Sequence, residues 1–130
     1  MAPGAADRAA GRLGEWIALV WLMARGFRLR HRNWRGGGAE LDLVMTHRGE
    51  VVFVEVKTRG GSSFGGPLAA VDRRKQKALA RAASAYLGRF DLWGEPCRFD
   101  VVGIERRRGP IPFTVSHIRD AFRADMGRQM

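Results

Sequence analysis

The run Val51-Val52-Phe53-Val54-Glu55-Val56-Lys57 decides the fold of this 130-residue chain. It is apolar and rich in β-branched residues until it ends in charged ones, which is typical of a strand buried within a sheet. Alternate residues of a strand share a face, so Glu55 and Lys57 are expected on the face of Phe53, where the apolar core ends. Taken alone, this arrangement fits a strand-end ion pair as well as a functional site.

The strand before this run is predicted to form a hairpin with it. If the turn spans His47–Glu50, Thr46 faces Val51 and Asp42 lies directly opposite Glu55. Opposed residues have Cβ atoms about 4.5–5.5 Å apart, and like charges at that distance are destabilising. A divalent cation between the carboxylates removes the repulsion, and oxygen ligands without a Cys/His cluster favour Mg²⁺ or Mn²⁺ over zinc. A slip of one residue in the register would separate the two carboxylates.

The rest of the chain predicts a single α/β domain, because 130 residues leave no room for a second core. A mixed central sheet begins as an antiparallel meander and is flanked by helices, in the order αβββαββα. The predicted helices cover Asp7–Arg25, Leu68–Leu87 and His117–Ala124, and the predicted strands cover Phe27–Trp34, Ala39–Thr46, Val51–Thr58, Arg98–Ile104 and Phe113–Val115. The domain spans residues 7–124, between tails over 1–6 and 125–130.

Periodicity also predicts which side chains share a face. Alternation groups Arg28, Arg30 and Arg32 on the first strand, and Leu41, Leu43 and Met45 on the second. The helical spacing of Leu13, Trp16, Ile17 and Val20 predicts an apolar stripe on the first half of the first helix, and the second half is apolar nearly all round, which implies burial on several sides.

The charge balance indicates a polyanionic partner. Lys and Arg total 23 against 13 Asp and Glu, so the formal net charge is +10. Nucleic acid or an anionic surface is therefore the predicted partner class. The single cysteine, Cys97, excludes an intramolecular disulfide and suits a reducing cytoplasm. The apolar stretch Trp16–Ala24 is about half as long as a membrane-spanning helix, so no membrane partner is predicted.

Basic residues near the carboxylate pair are the candidate phosphate contacts, with one glutamine among them. They are Arg35, Arg59, Arg73, Lys75, Gln76 and Lys77. The densest basic run, Arg106–Arg108, opens a Pro/Gly loop, and the glycine-rich segment Arg59–Pro67 is typical of a mobile lid. Asp100 is predicted to be a structural hydrogen-bond or salt-bridge partner.

Several segments together resemble a known family. They are Gly14-Glu15-Trp16-Ile17-Ala18, Asn33-Trp34-Arg35, Gly38-Ala39-Glu40-Leu41-Asp42, Glu55-Val56-Lys57-Thr58-Arg59 and Arg98-Phe99-Asp100-Val101-Val102. This set resembles the bacterial YraN-type family, which is regarded as similar to archaeal Holliday-junction resolvases. The acidic and lysine residues within it resemble the PD-(D/E)xK nuclease superfamily, although Leu41 stands where that pattern has proline. The resemblance covers about Gly11–Phe122.

The resemblance implies a restriction-endonuclease-like fold and a role for each acidic residue of the set. Asp42 and Glu55 would be metal ligands, and the metal would stabilise charge on the phosphate and acidify bound water. Lys57 would position or activate the attacking water. Glu15 would be an additional acid and metal ligand from the first helix.

The leading expectation is therefore a metal-dependent endonuclease that hydrolyses phosphodiester bonds in DNA, on branched or structured substrates. The alternative is a nucleic-acid-binding module that keeps the fold without turnover, and a third interpretation is a basic structural protein of a ribonucleoprotein. Facing carboxylates argue against both, because without a metal they repel phosphate. A nuclease that cuts both strands symmetrically would be a homodimer and a nickase a monomer, and the sequence leaves both open.

Overall fold

The computed structural model describes residues 5–60 and 71–124, which form two helices and five strands. The elements are α1 (Ala5–Met23), β1 (Arg28–Gly36), β2 (Ala39–His47), β3 (Glu50–Gly60), α2 (Arg73–Arg89), β4 (Cys97–Arg106) and β5 (Phe113–Phe122). The strands form one sheet in chain order, in which β3 and β4 run parallel and the other neighbours antiparallel. The predicted α/β class with a mixed sheet flanked by helices is confirmed.

Some predicted boundaries shift and others fall outside the described residues. Helix α1 begins at Ala5, inside the predicted N-terminal tail. The tail over 125–130 and most of the glycine-rich segment lie outside the described residues, as does the predicted start of the second helix at Leu68. Helix α2 begins at Arg73, because the Asp72 carboxylate accepts a hydrogen bond from the Lys75 N–H at 2.9 Å and caps the helix.

The β2–β3 hairpin has the predicted register. Thr46 pairs with Val51, and the ladder runs from His47 opposite Glu50 to Leu43 opposite Val54. The two faces of the sheet carry separate cores. Helix α2 packs on the face that contains Phe53, and helix α1 packs on the face that contains Val54.

The prediction of strict alternation in the first two strands is wrong. A register shift between Leu29 and His31 turns both Arg30 and His31 toward the Tyr86 hydroxyl, which Arg30 Nε contacts at 2.9 Å. Arg32 instead stacks on Trp16 of α1, so the three arginines do not share a face. On β2 the same loss of alternation occurs around Asp42. Leu41 packs on the α2 side, whereas Leu43 and Met45 pack on the α1 side.

The predicted C-terminal helix over His117–Ala124 is also wrong, and the observed order of described elements is αβββαββ. Residues 113–122 form one edge strand that pairs with β4. Asp120 has a φ of 50°, which a helix does not accommodate, and its N–H donates to the Asp100 carboxylate at 3.0 Å. Pairing with a buried neighbour strand therefore overrides the local helical propensity.

Helix α1 packs on the sheet mainly through residues outside the predicted stripe. Ala18, Leu19 and Leu22 pack against the sheet, whereas Leu13 and Val20 are more than 60% exposed. Trp16 is 49% exposed, whereas Ile17 packs against the core, so three of the four residues of the predicted stripe are exposed. The apolar spacing correctly indicates a helix, but α1 is apolar on two opposite faces and spacing cannot say which one meets the sheet.

Candidate active site

The site begins where β2 and β3 separate. Their ladder ends at Leu43 opposite Val54, and the next pair in the same register is Asp42 and Glu55. Beyond this point the Val56 N–H donates to Asp42 Oδ2 at 2.9 Å. A side chain thus replaces the backbone partner that β3 loses, and it holds the Asp42 carboxyl beside Glu55.

The position of the Asp42 carboxyl, half-buried and next to Glu55, shifts its protonation. Burial, followed by the neighbouring Glu55 charge, raises the pKa of Asp42 from its usual 3.8 to about 8, although the hydrogen bond from Val56 opposes this shift. The pair therefore retains a proton near neutral pH. This is the electrostatic conflict that the hairpin register predicts for facing carboxylates.

Glu55 is the most buried acid of the site, with 4% of its surface exposed. Its Oε2 atom lies 3.1 Å from Lys57 Nζ and 3.4 Å from Lys75 Nζ. Its Oε1 atom is buried and has no hydrogen-bond partner. Glu55 therefore has one neutralised oxygen and one oxygen with unused acceptor capacity.

Glu15 approaches the same region from α1. Its Oε1 accepts a hydrogen bond from Asn33 Nδ2 at 2.9 Å. Burial raises the pKa of Glu15, the bond from Asn33 opposes that effect, and the Glu40 charge reinforces it. Its approach depends on Gly14, where a Cβ atom would overlap Thr58 Oγ1 of β3.

The predicted set of three metal ligands is not assembled. Within residues 5–60 and 71–124, no three His, Cys, Asp or Glu side chains are arranged to hold a metal ion. Asp42 and Glu55 alone do fit the chemistry of Mg²⁺, which often binds through one or two carboxylates together with water and substrate phosphates. The Glu55 Oε1 atom, which has no hydrogen-bond partner, is the ligand atom available to such an ion.

The predicted phosphate contacts fall into different environments. Lys75 belongs to the carboxylate site through Glu55, whereas Arg73 and Lys77 are exposed on α2. Arg35 is exposed and pairs with Glu40 at 3.6 Å. The Gln76 Nε2 atom donates to the Val71 carbonyl at 3.1 Å. The remaining residue of the predicted set, Arg59, lies four residues after Glu55 on β3.

The sequence pattern does not predict the contact between Lys75 and Glu55. The signal that could have found it is the spacing of Asp72 and Lys75, which places a cap and the first turn of a helix there. Gly14 stands out in the sequence only as part of the family resemblance. Its packing role depends on the crossing of α1 over β3, which no local pattern encodes.

Asp100 has the structural role predicted for it. It is fully buried and accepts hydrogen bonds from Arg98 Nε at 3.0 Å, His117 Nε2 at 2.8 Å and the Asp120 N–H. Burial alone would raise the pKa of Asp100, but these hydrogen bonds hold it below its usual value. This cluster lies on the α1 side of the sheet, where His117 also contacts Trp21 edge-on.

Comparison with known proteins identifies the family. The model of the uncharacterised protein family UPF0102 matches residues 14–104. The chain belongs to the UPF0102 family. Its UPF0102 relatives include a Pseudomonas putida protein, 49% identical over 104 residues that cover 79% of this chain and 85% of the relative. A Bacteroides thetaiotaomicron relative is 43% identical over 112 residues, covering 86% and 90% of the two chains. The UPF0102 match spans Glu15, Asp42, Glu55, Lys57 and Lys75, and it agrees with the YraN-type resemblance.

No helix within the described part of this UPF0102 chain combines the length and apolarity needed to cross a membrane.

Proposed function

We propose that this protein is a metal-dependent endonuclease that hydrolyses phosphodiester bonds in DNA. The observation that carries the proposal is the Asp42–Glu55 pair, held side by side at the fork between β2 and β3 with Lys57 against Glu55. A carboxyl whose pKa is raised to about 8, as that of Asp42 is beside Glu55, is an unfavourable arrangement for a protein that uses it only for packing. The resemblance to PD-(D/E)xK nucleases and archaeal resolvases supports DNA, in branched or structured form, as the substrate.

In the proposed reaction Asp42 and Glu55 would hold Mg²⁺ or Mn²⁺. When bound, the ion stabilises negative charge on the phosphate and acidifies a water molecule. The Lys57 ammonium lies 3.1 Å from Glu55 Oε2 and retains 27% exposure, so it can donate to the attacking water and to a phosphate oxygen. The predicted role of Lys57 requires both an ammonium group held beside Glu55 and enough exposure to reach water and phosphate.

Two further groups complete the proposed machinery. Lys75 brings a second ammonium from the first turn of α2, 3.4 Å from the same Glu55 oxygen. Glu15, fixed by Asn33, has a raised pKa and therefore suits the transfer of a proton at the edge of the site. The exposed basic residues Arg73 and Lys77 on α2, with Arg59 on β3, would contact the flanking phosphates.

A nucleic-acid-binding module without turnover is the second candidate. It is favoured by the two ammonium groups on Glu55 Oε2, which neutralise that carboxylate without any metal. In such a module Lys57 and Lys75 would be held apart from phosphate, and basic residues outside the carboxylate site would carry the binding.

The test is cleavage of labelled single-stranded, duplex, flap and four-way-junction DNA with Mg²⁺ or Mn²⁺. Wild type is compared with Asp42→Asn, Lys57→Gln and the control Asp91→Asn, which alters an exposed carboxylate beyond the far end of α2. Metal-dependent cleavage that Asp42→Asn and Lys57→Gln abolish, while Asp91→Asn and DNA binding are unaffected, would support the nuclease. Tight binding without cleavage of any substrate would favour the binding module.

A further inference from the structure

The connection between β4 and β5 is a compact basic hairpin. Residues 106–112, here called the basic hairpin, read Arg-Arg-Arg-Gly-Pro-Ile-Pro and are exposed throughout. The Arg107 N–H donates to the Pro112 carbonyl at 2.8 Å and closes the hairpin at its base. Among the described residues, no ion pair joins any of its three arginines to an acidic group. Its cations are therefore available to an external anion.

The basic hairpin lies at the end of β3 and β4 toward which the carboxylate site also lies. Strands β3 and β4 run parallel, with Glu55 beside Val101 and Gly60 beside Arg106. The hairpin thus starts five residues beyond Glu55, or about 16 Å along the strand direction. That distance corresponds to about five base pairs of duplex, at about 3.4 Å each.

The tip of the hairpin combines charge with an exposed apolar side chain. Ile111 is 64% exposed and stands between Pro110 and Pro112. Two prolines restrict the backbone of this tip, so little conformational entropy would be lost on contact. An apolar side chain next to arginines is the combination with which proteins enter the minor groove, unstack a base step and bend the duplex.

We propose that the basic hairpin is a second DNA contact, in which Arg107 and Arg108 bind phosphates and Ile111 wedges into a deformable base step about five base pairs from the cleaved bond. The proposal rests on the proposed function, because DNA is the polyanion that the nearby carboxylate site is proposed to cleave. It also specifies the substrate further, as duplex DNA that bends or unstacks easily next to the site.

The arginine contribution is measured by the salt dependence of DNA binding in EDTA, using fluorescence anisotropy. Each phosphate contact adds about 0.9 to the slope of log affinity against log salt concentration. Arg107→Gln/Arg108→Gln is expected to lower the slope by about 2 and to weaken binding at least about tenfold at low salt. The control Arg48→Gln/Arg119→Gln removes the same charge near His47, at the other end of the sheet, and is expected to retain the wild-type slope. Arg107→Lys/Arg108→Lys should retain it as well, because the charge is kept.

The wedge is measured on two duplexes that differ at one position. Flexible TA steps are easily kinked, whereas A-tracts are stiff, so wild type is expected to prefer a duplex with a central TA step. Ile111→Ser should abolish this preference and leave the salt slope unchanged. 2-Aminopurine at the TA step is expected to brighten with wild type, as the base unstacks, and to stay dim with Ile111→Ser.

Equal slopes for the hairpin variant and its control would overturn the proposal, as would a wild type indifferent to the TA step. The proposal would also be overturned if Arg107→Gln/Arg108→Gln lost binding to phosphatidylserine vesicles but kept wild-type DNA binding. That result would indicate that the basic hairpin contacts a membrane surface. Since all binding is measured without metal, these outcomes are separate from cleavage. If the salt slopes are as expected but the protein cleaves no DNA, the proposed hydrolysis is refuted and the DNA contact of the basic hairpin is still supported.

Discussion

Replacing Asp42 with asparagine is expected to stabilise the protein increasingly as the pH rises. In the wild type the pKa of Asp42 is raised from 3.8 to about 8, chiefly by burial. Between these values the folded state keeps a proton that the unfolded state releases, so the free energy of unfolding falls with increasing pH. The loss is about 1.4 kcal/mol per pH unit, or about 3 kcal/mol between about pH 5 and pH 7.

The asparagine side chain of the Asp42→Asn variant does not titrate, and its amide oxygen can still accept the Val56 hydrogen bond. The difference in unfolding free energy, variant minus wild type, should therefore grow by about 3 kcal/mol across that pH range. Burial lowers the pKa of His47 and adds a slope of the opposite sign, but it does so in both proteins and cancels in the difference. The pKa of Asp100 is below its usual value, so its contribution to stability is lost only at more acid pH.

Urea denaturation followed by tryptophan fluorescence, in EDTA across this range, measures the difference. A difference that stays flat with pH would refute the electrostatic account of the site. Added Mg²⁺ offers an internal control, because an ion bound by Asp42 and Glu55 stabilises the ionised pair. Mg²⁺ should therefore raise the stability of the wild type at the alkaline end of the range and leave Asp42→Asn unchanged.

Substitutions outside the carboxylate pair test the packing of the chain by the same denaturation assay. Gly14→Ala is expected to cost at least about 2 kcal/mol, because its Cβ would overlap Thr58 Oγ1; an unchanged midpoint would mean that α1 can shift away from β3. Asp100→Asn should cost about 1–3 kcal/mol, since Arg98 would lose its buried counter-charge and keep only the partly exposed Glu50, and an unchanged stability would contradict that role. Val20→Gln should change stability by less than about 0.5 kcal/mol, whereas Leu22→Ala should cost about 2–5 kcal/mol. Equal losses for these two would show that Val20 is covered.

The sequence predicted the centre of the fold because two constraints coincide there. A short turn between two apolar strands allows few registers, and the buried faces of β3 exclude a slip of one residue. The pairing of Thr46 with Val51 is therefore confirmed, and with it the approach of Asp42 to Glu55. Where both the turn and the buried faces constrain a strand, the local sequence pattern is sufficient to predict its register.

The sequence-based predictions fail where a contact between distant segments determines the secondary structure or the buried face. Residues 117–122 read locally as a helix, but the buried Asp100 on β4 binds the Asp120 N–H and the sheet gains an edge strand. The exposure of Leu13 depends on which face of α1 meets the sheet, and on the face that does, Gly14 lies too close to Thr58 of β3 for a Cβ atom. These contacts join segments far apart in the chain, so no periodicity reports them.

The fork between β2 and β3 has a consequence for hydrogen exchange. The Val56 amide is protected by the Asp42 carboxyl, whereas the amides of the preceding hairpin are protected by backbone carbonyls. Opening at this point requires one side chain to rotate and leaves the rest of the strand in place, so the Val56 proton can exchange through a small local fluctuation. A single amide signal thus reports the state of the carboxyl pair in solution, independently of any substrate or of the stability of the domain as a whole.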